Sequence, residues 1–182
     1  MIGVLVSGTG TNLQALLDAA LPVTAVAANN RAAPALGRAE AASVASAAFP
    51  LEEYPGREER DSAMADWLAN NGVELVVCAG YMHLLAPSFL ERFRCINVHP
   101  SLLPAFPGLD AVGQALAAGV QETGVTVHFL DEGVDTGPVI VQERVAIEPD
   151  DTAEKLYARI RAVEHRLLPE AVRLYLAGAI RS

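Results

Sequence analysis

The chain has 182 residues, of which 52% are hydrophobic and 19% charged, a composition that suits a compact globular fold and excludes a disordered or collagen-like chain. Its net charge is −9 with no run of Lys or Arg, so the positive footprint needed to hold a nucleic-acid backbone or an acidic membrane is missing, and neither is expected as a partner. Two cysteines, Cys78 and Cys95, cannot build a disulfide framework, and Gly, Pro or Asn interrupts every long uncharged stretch; the expectation is one soluble, cytoplasmic domain over 1–182 with both thiols reduced and buried.

Residues 2–7 (IGVLVS) are an apolar run, followed by GTGT and then by helical spacing over 12–17, which reads as strand, glycine turn, helix. Further strands are predicted at 23–28, 73–79, 95–98, 124–130 and 138–146. Helices are predicted at 34–47, opened by Pro34, at 57–71 with Met64, Trp67 and Leu68 inward, at 87–93 and at 111–119. This alternation predicts an α/β fold: a Rossmann-like, open, mostly parallel sheet with helices on both faces. Only the loop 131–137 separates the last two strands, so they form an antiparallel pair and the C-terminal part of the sheet is mixed. The last helix opens with a capping-box pattern, Asp151 and Glu154, and carries a stripe of Ala153, Leu156, Tyr157, Ile160, Val163, Leu167, Leu168, Ala171 and Leu174. Pro169 is expected to kink it.

The turn Ser7-Gly8-Thr9-Gly10-Thr11-Asn12 joins a strand to a helix, where free amides and the helix dipole attract an anion. Position 13 is Leu where a dinucleotide fingerprint has Gly, and the only lysine, Lys155, is far from a P-loop position. Two readings stand: a structural turn in which Thr11 or Asn12 caps the helix, or a phosphate-monoester site.

Asn97 and His99 alternate on a strand that Pro100 extends, so they project from one side at its carboxyl end, where open α/β sheets bind ligands. An amide and an imidazole aimed at one point can stabilise an oxyanion, and the imidazole can exchange a proton near neutral pH. Asp135 lies in the acidic loop Asp131-Glu132-Gly133-Val134-Asp135-Thr136-Gly137. The loop is either a solvated turn or brings Asp135 to His99, where its charge would hold an imidazolium; its spacing does not match a calcium loop. Glu164 falls on the apolar stripe of the last helix, which requires a salt bridge or a ligand as partner. For His128 and His165 a structural role is favoured.

With these residues assembled, the chain resembles the phosphoribosylglycinamide formyltransferase family. The segments that carry the resemblance are VSGTGTNLQALL, CAGYMHLLAP, INVHPSLLPAFPG, VTVHFLDEGVDTGPVIVQ and VEHRLLP, spread over essentially the whole chain. The resemblance implies a formyltransferase fold and transfer of the formyl group of 10-formyltetrahydrofolate to the amine of phosphoribosylglycinamide, without a metal. It implies that His99 is the catalytic histidine, Asn97 the oxyanion-binding amide and Asp135 the aspartate that keeps the histidine protonated. Gly10, Thr11 and Asn12 match the loop that holds the nucleotide's phosphate, and Glu164 a glutamate that contacts the ribonucleotide. Arg57, Met82, His83, Leu84, Leu85 and Asn97 match folate-contacting positions. By the same resemblance the N-terminal half supplies the phosphate loop, the C-terminal half the catalytic and folate loops, and the protein is a monomer or homodimer. The chain departs from the family's usual basic residue at His83 and from its usual basic or histidine-bearing loop at Asp110, Val112 and Gly113. Methionyl-tRNA formyltransferases and formyltetrahydrofolate deformylases share the chemistry, but each has a further domain and a different residue pattern around 100–108. A nucleotide-binding module without catalysis is the alternative of another class.

Overall fold

A computed structural model describes residues 1–180. In chain order the elements are β1 (Ile2–Val6), α1 (Thr11–Asp18), β2 (Val23–Ala28), α2 (Pro34–Ala41), β3 (Ala45–Ala48), a 3-10 turn (Leu51–Glu53), α3 (Arg57–Asn70), β4 (Leu75–Cys78), α4 (Pro87–Arg92), β5 (Arg94–His99), α5 (Ala111–Ala118), β6 (Glu122–Phe129), β7 (Val139–Ala146) and α6 (Ala153–Leu176). The strands hydrogen-bond in the order β3-β2-β1-β4-β5-β6-β7. It is an open, mixed α/β sheet.

The chain forms two compact units that divide after Asn97. In the first, β1 to β5 pair in parallel, with Val4 opposite both Val26 and Val77, and Cys78 opposite Asn97. Every residue of β1 and of β4 is buried, the signature of a parallel sheet covered on both faces. Leu13 and Leu16 of α1 and Met64 and Leu68 of α3 are fully buried in its core. In the second unit β6 and β7 pair antiparallel, Val125 opposite Glu143. Helix α6 packs on both strands, with Leu156, Ile160, Leu168, Ala171 and Val172 fully buried. Each Leu or Ile so buried contributes about 1.5–3 kcal/mol. Both cysteines are buried and unpaired.

Three local expectations are corrected. The helix predicted over 34–47 stops at Ala41, Ser43 turns the chain with φ 57°, and residues 45–48 become edge strand β3 beside β2. The run is rich in alanine and its helix propensity is high, but pairing with β2 overrides it. The cap of α6 is Thr152, whose hydroxyl accepts the Lys155 N–H at 3.2 Å. Asp151 instead binds Arg159, which with the Glu148 N–H holds its carboxyl down to about 2 against the effect of burial. On the α6 stripe Tyr157 and Leu174 are exposed and Ala153 lies outside it. Pro169, where a kink is expected, lies inside α6, which runs on to Leu176.

Candidate active site

In the first unit the strand order reverses at β1, which has β2 on one side and β4 on the other. Such a switch point opens a crevice at the carboxyl ends of the strands. Two segments leave the sheet there, the glycine turn after β1 and the 79–86 segment after β4. They are tied together by the Met82 N–H, which donates to Ser7 Oγ at 2.9 Å.

Gly10 is itself the N-cap of α1, with φ 72° and no side-chain cap hydrogen bond at that position, so neither Thr11 nor Asn12 is the N-cap that the structural reading of the turn supposed. A Cβ at Gly10 would lie 2.6 Å from Ala35 Cβ, whereas one at Gly8 would meet nothing within 4 Å among the described residues. The turn is therefore packed against α2 on one side and open on the other. Arg38 of α2 braces it, Nε donating to the Thr9 carbonyl at 2.7 Å and Nη1 to Gln14 Oε1 at 3.1 Å. A guanidinium beside a helix N-terminus adds to the positive potential that draws an anion.

In the 79–86 segment Met82 and Leu84 are exposed and Leu85 is half-buried. His83 sits between them, its Nδ1 3.0 Å from Arg60 Nη1. Arg57 is exposed on the first turn of α3. Burial pushes the Asp61 carboxyl up, opposed by the Ala86 N–H and by the charges of Arg60 and Arg57.

The second unit holds the acid-base centre. His99, at the end of β5, is buried; its Nδ1 is 3.3 Å from Asp135 Oδ2 and its Nε2 2.8 Å from the Phe106 carbonyl. His128 of β6 faces the other carboxylate oxygen, Nε2 to Asp135 Oδ1 at 3.5 Å, with Nδ1 2.9 Å from the Phe129 carbonyl. The Gly108 N–H donates to Asp135 Oδ2 at 2.8 Å. Burial alone would raise the Asp135 carboxyl, but the His128 hydrogen bond, the Gly108 N–H and the charges of both histidines hold it below the usual carboxylate range. Every nitrogen of the two rings faces an oxygen, so the imidazolium form satisfies the contacts of either ring. Phe106 and Asp135 both have positive φ, 53° and 54°, conformations unfavourable for bulky L-residues that persist where the surroundings impose them.

The structure thus brings Asp135 to His99, as expected, and places Asn97 two residues before His99 on β5. Glu164 is 3% exposed within the apolar face of α6, and its charge, after burial, is what raises the Tyr157 hydroxyl. Arg161 stacks over the Tyr157 ring at 4.7 Å. Sequence reasoning missed four residues. His128 passed for a core histidine, although Thr126 and His128 alternate with Val125 and Val127 to give β6 one polar face. Thr126 uses that face to hold the loop after His99, donating to the Ser101 carbonyl at 2.7 Å and accepting the Leu103 N–H at 3.1 Å. For Arg38 and Arg60 the sequence carries no signal, since each acts through a partner distant in the chain.

A family model described as formyl transferase matches residues 1–172. The phosphoribosylglycinamide formyltransferase of Haemophilus influenzae is 39% identical over 99% of this chain and 89% of its own length. The trifunctional purine biosynthetic protein adenosine-3 of Chironomus tentans is 41% identical over 99% of this chain, which spans 14% of that relative's length. The crystal structure of glycinamide ribonucleotide transformylase 1 from Symbiobacterium toebii superposes with a TM-score of 0.95 at 48% identity, covering 97% of this chain and 87% of that one. The chain is a formyltransferase, a member of the formyl transferase family.

Proposed function

We propose that the chain transfers the formyl group of 10-formyltetrahydrofolate to the amine of 5'-phosphoribosylglycinamide, a step of purine synthesis in the cytoplasm. The observation that carries this reading is the contact of the buried His99 with the half-buried Asp135 at 3.3 Å in a chain whose full-length relatives bear that enzyme's name. The amine nitrogen attacks the formyl carbon; a C–N bond forms and the carbonyl electrons pass to oxygen. The His99 Nε2–H exchanges the Phe106 carbonyl for that oxyanion and, with Asn97, donates a hydrogen bond to it, the type of stabilisation that supplies much of the rate in acyl transfer. Collapse of the intermediate returns the electrons and breaks the bond to the folate nitrogen. The proton lost by the attacking amine reaches that nitrogen through the His99 ring, which the Asp135 carboxylate holds in place.

Gly10, Thr11 and Asn12 take the phosphate in this reading, and Glu164 contacts the ribonucleotide. Arg57, Met82, His83, Leu84, Leu85 and Asn97 take the folate, with Arg57 toward its acidic tail. The whole chain acts as one catalytic domain on small molecules, as a monomer or homodimer. No described helix is long and apolar enough to cross a membrane. Mass spectrometry after incubation with both substrates tests the reading: the ribonucleotide gains the mass of one CO as one tetrahydrofolate forms. Release of free formate would identify a deformylase instead, and unchanged substrates a nucleotide-binding module.

A further inference from the structure

The corner where α3 meets the 79–86 segment holds more charge than packing requires. Arg60 and Asp61 are both fully buried. Arg60 Nε donates to Asp61 Oδ1, and Asp61 Oδ2 accepts the Ala86 N–H at 2.7 Å. Arg60 Nη1 lies 3.0 Å from His83 Nδ1, and the Tyr81 ring stands 5.9 Å from the guanidinium carbon. Arg60 Nη2 finds no hydrogen-bond partner among the described residues. A buried ion pair rarely stabilises a fold more than apolar side chains of the same volume, so the purpose of this one lies in what it holds.

A guanidinium has donors and no acceptor. His83 Nδ1 is therefore the accepting nitrogen, and the ring's one proton sits on Nε2, away from Arg60. A proton added at Nδ1 would point at a guanidinium N–H. The charged groups facing the ring are Arg60 and Asp61 of α3, Glu52 of the 3-10 turn and, on its own segment, Tyr81 as a titratable neighbour. Burial and Arg60 outweigh Asp61 and Glu52, so the histidine is kept below its usual range. On either side Met82 and Leu84 are 62% and 56% exposed.

We propose that Arg60 is a positioning residue for the formyl donor: it fixes His83 as an uncharged Nε2–H donor between two apolar side chains, a surface that suits a neutral heterocycle carrying one hydrogen-bond acceptor. The inference rests on the reading of the 82–85 segment as the folate site.

Nitrogen-15 NMR of the histidine-labelled full chain tests the tautomer without any variant. His83 Nδ1 should resonate as a bare nitrogen and Nε2 as a protonated one, unchanged between about pH 5 and 8. A ring that titrates to the doubly protonated form in that range overturns the proposal. On adding a non-hydrolysable 10-formyltetrahydrofolate analogue, the Nε2–H signal should shift, and on adding ribonucleotide alone it should not. The Arg60→Met variant, and Arg60→Met with Asp61→Asn to remove both buried charges, should show a donor KM that rises severalfold as pH is lowered through the usual histidine range. The ribonucleotide KM should keep the wild-type pH profile. Equal movement of both KM values would show a merely structural role and overturn the proposal, as would an unshifted His83 signal in an enzyme that binds the analogue and transfers formyl. Failure of the wild-type chain to bind the analogue would instead overturn the folate reading itself, and this inference with it.

Discussion

His99 has one ring nitrogen on a carboxylate and the other on a carbonyl, so its position is fixed before any substrate arrives. His99→Ala removes both an oxyanion donor and a proton carrier, and kcat should fall by about 10²-fold or more while substrate KM values change little; steady-state kinetics check this, and a near-normal kcat removes His99 from the mechanism. Asp135→Asn keeps the shape and withdraws the charge. Because the Asp135 carboxyl lies below its ordinary value of 3.8, its stabilising contribution is complete above that pH and is lost as pH falls through the lower, folded-state value. Thermal unfolding should therefore show Asp135→Asn less stable than wild type near neutral pH, with the gap closing in acid below 3.8. A gap that widens in acid contradicts the pairing. Of this centre, His99 and Asp135 were legible because strand alternation and an acidic loop mark them. His128 was not, since a histidine inside a strand buried from Thr123 to Phe129 has the same pattern whether it fills space or holds a carboxylate.

At the scale of elements, the glycine turn shows how local conformation and packing divide the roles of two residues of one type. Gly10 has positive φ and no room for a Cβ, whereas Gly8 faces open space. Gly10→Ala should destabilise the protein by at least about 1–2 kcal/mol, the left-handed penalty alone, and should raise the ribonucleotide KM far more than the folate KM. Gly8→Ala should leave the melting temperature unchanged. Denaturant unfolding of both variants checks the pair, and equal effects on the two KM values for Gly10→Ala would leave the turn a purely structural one. The order of strands and helices was largely readable because apolar runs bounded by Gly and Pro mark parallel strands well. The exception, β3, has no such mark: ASAA is as good a helix sequence as a strand, and only an empty edge beside β2 decides it. The α6 cap moved by one residue for a related reason, since Asp151 and Thr152 can both cap and Arg159 claims the aspartate.

For the molecule as a whole, the link between site and stability runs through α6, whose buried face carries Glu164 among Leu156, Ile160, Leu167 and Leu168. A ligand that binds only the folded chain raises its stability, by about 2.7 kcal/mol at a hundred times Kd. Phosphoribosylglycinamide should therefore raise the melting temperature of the wild type. If Glu164 contacts the ribonucleotide, Glu164→Gln keeps volume and burial but loses a charge-assisted bond, and binding should weaken by roughly 1.5–3 kcal/mol. The ligand-induced rise would shrink accordingly, while the melting temperature of the free protein moves little. A role confined to the helix predicts the reverse: a lower melting temperature without ligand and the full rise with it. Calorimetric unfolding of both proteins with and without the ribonucleotide separates the two, and an undiminished rise in the variant would remove Glu164 from the nucleotide site.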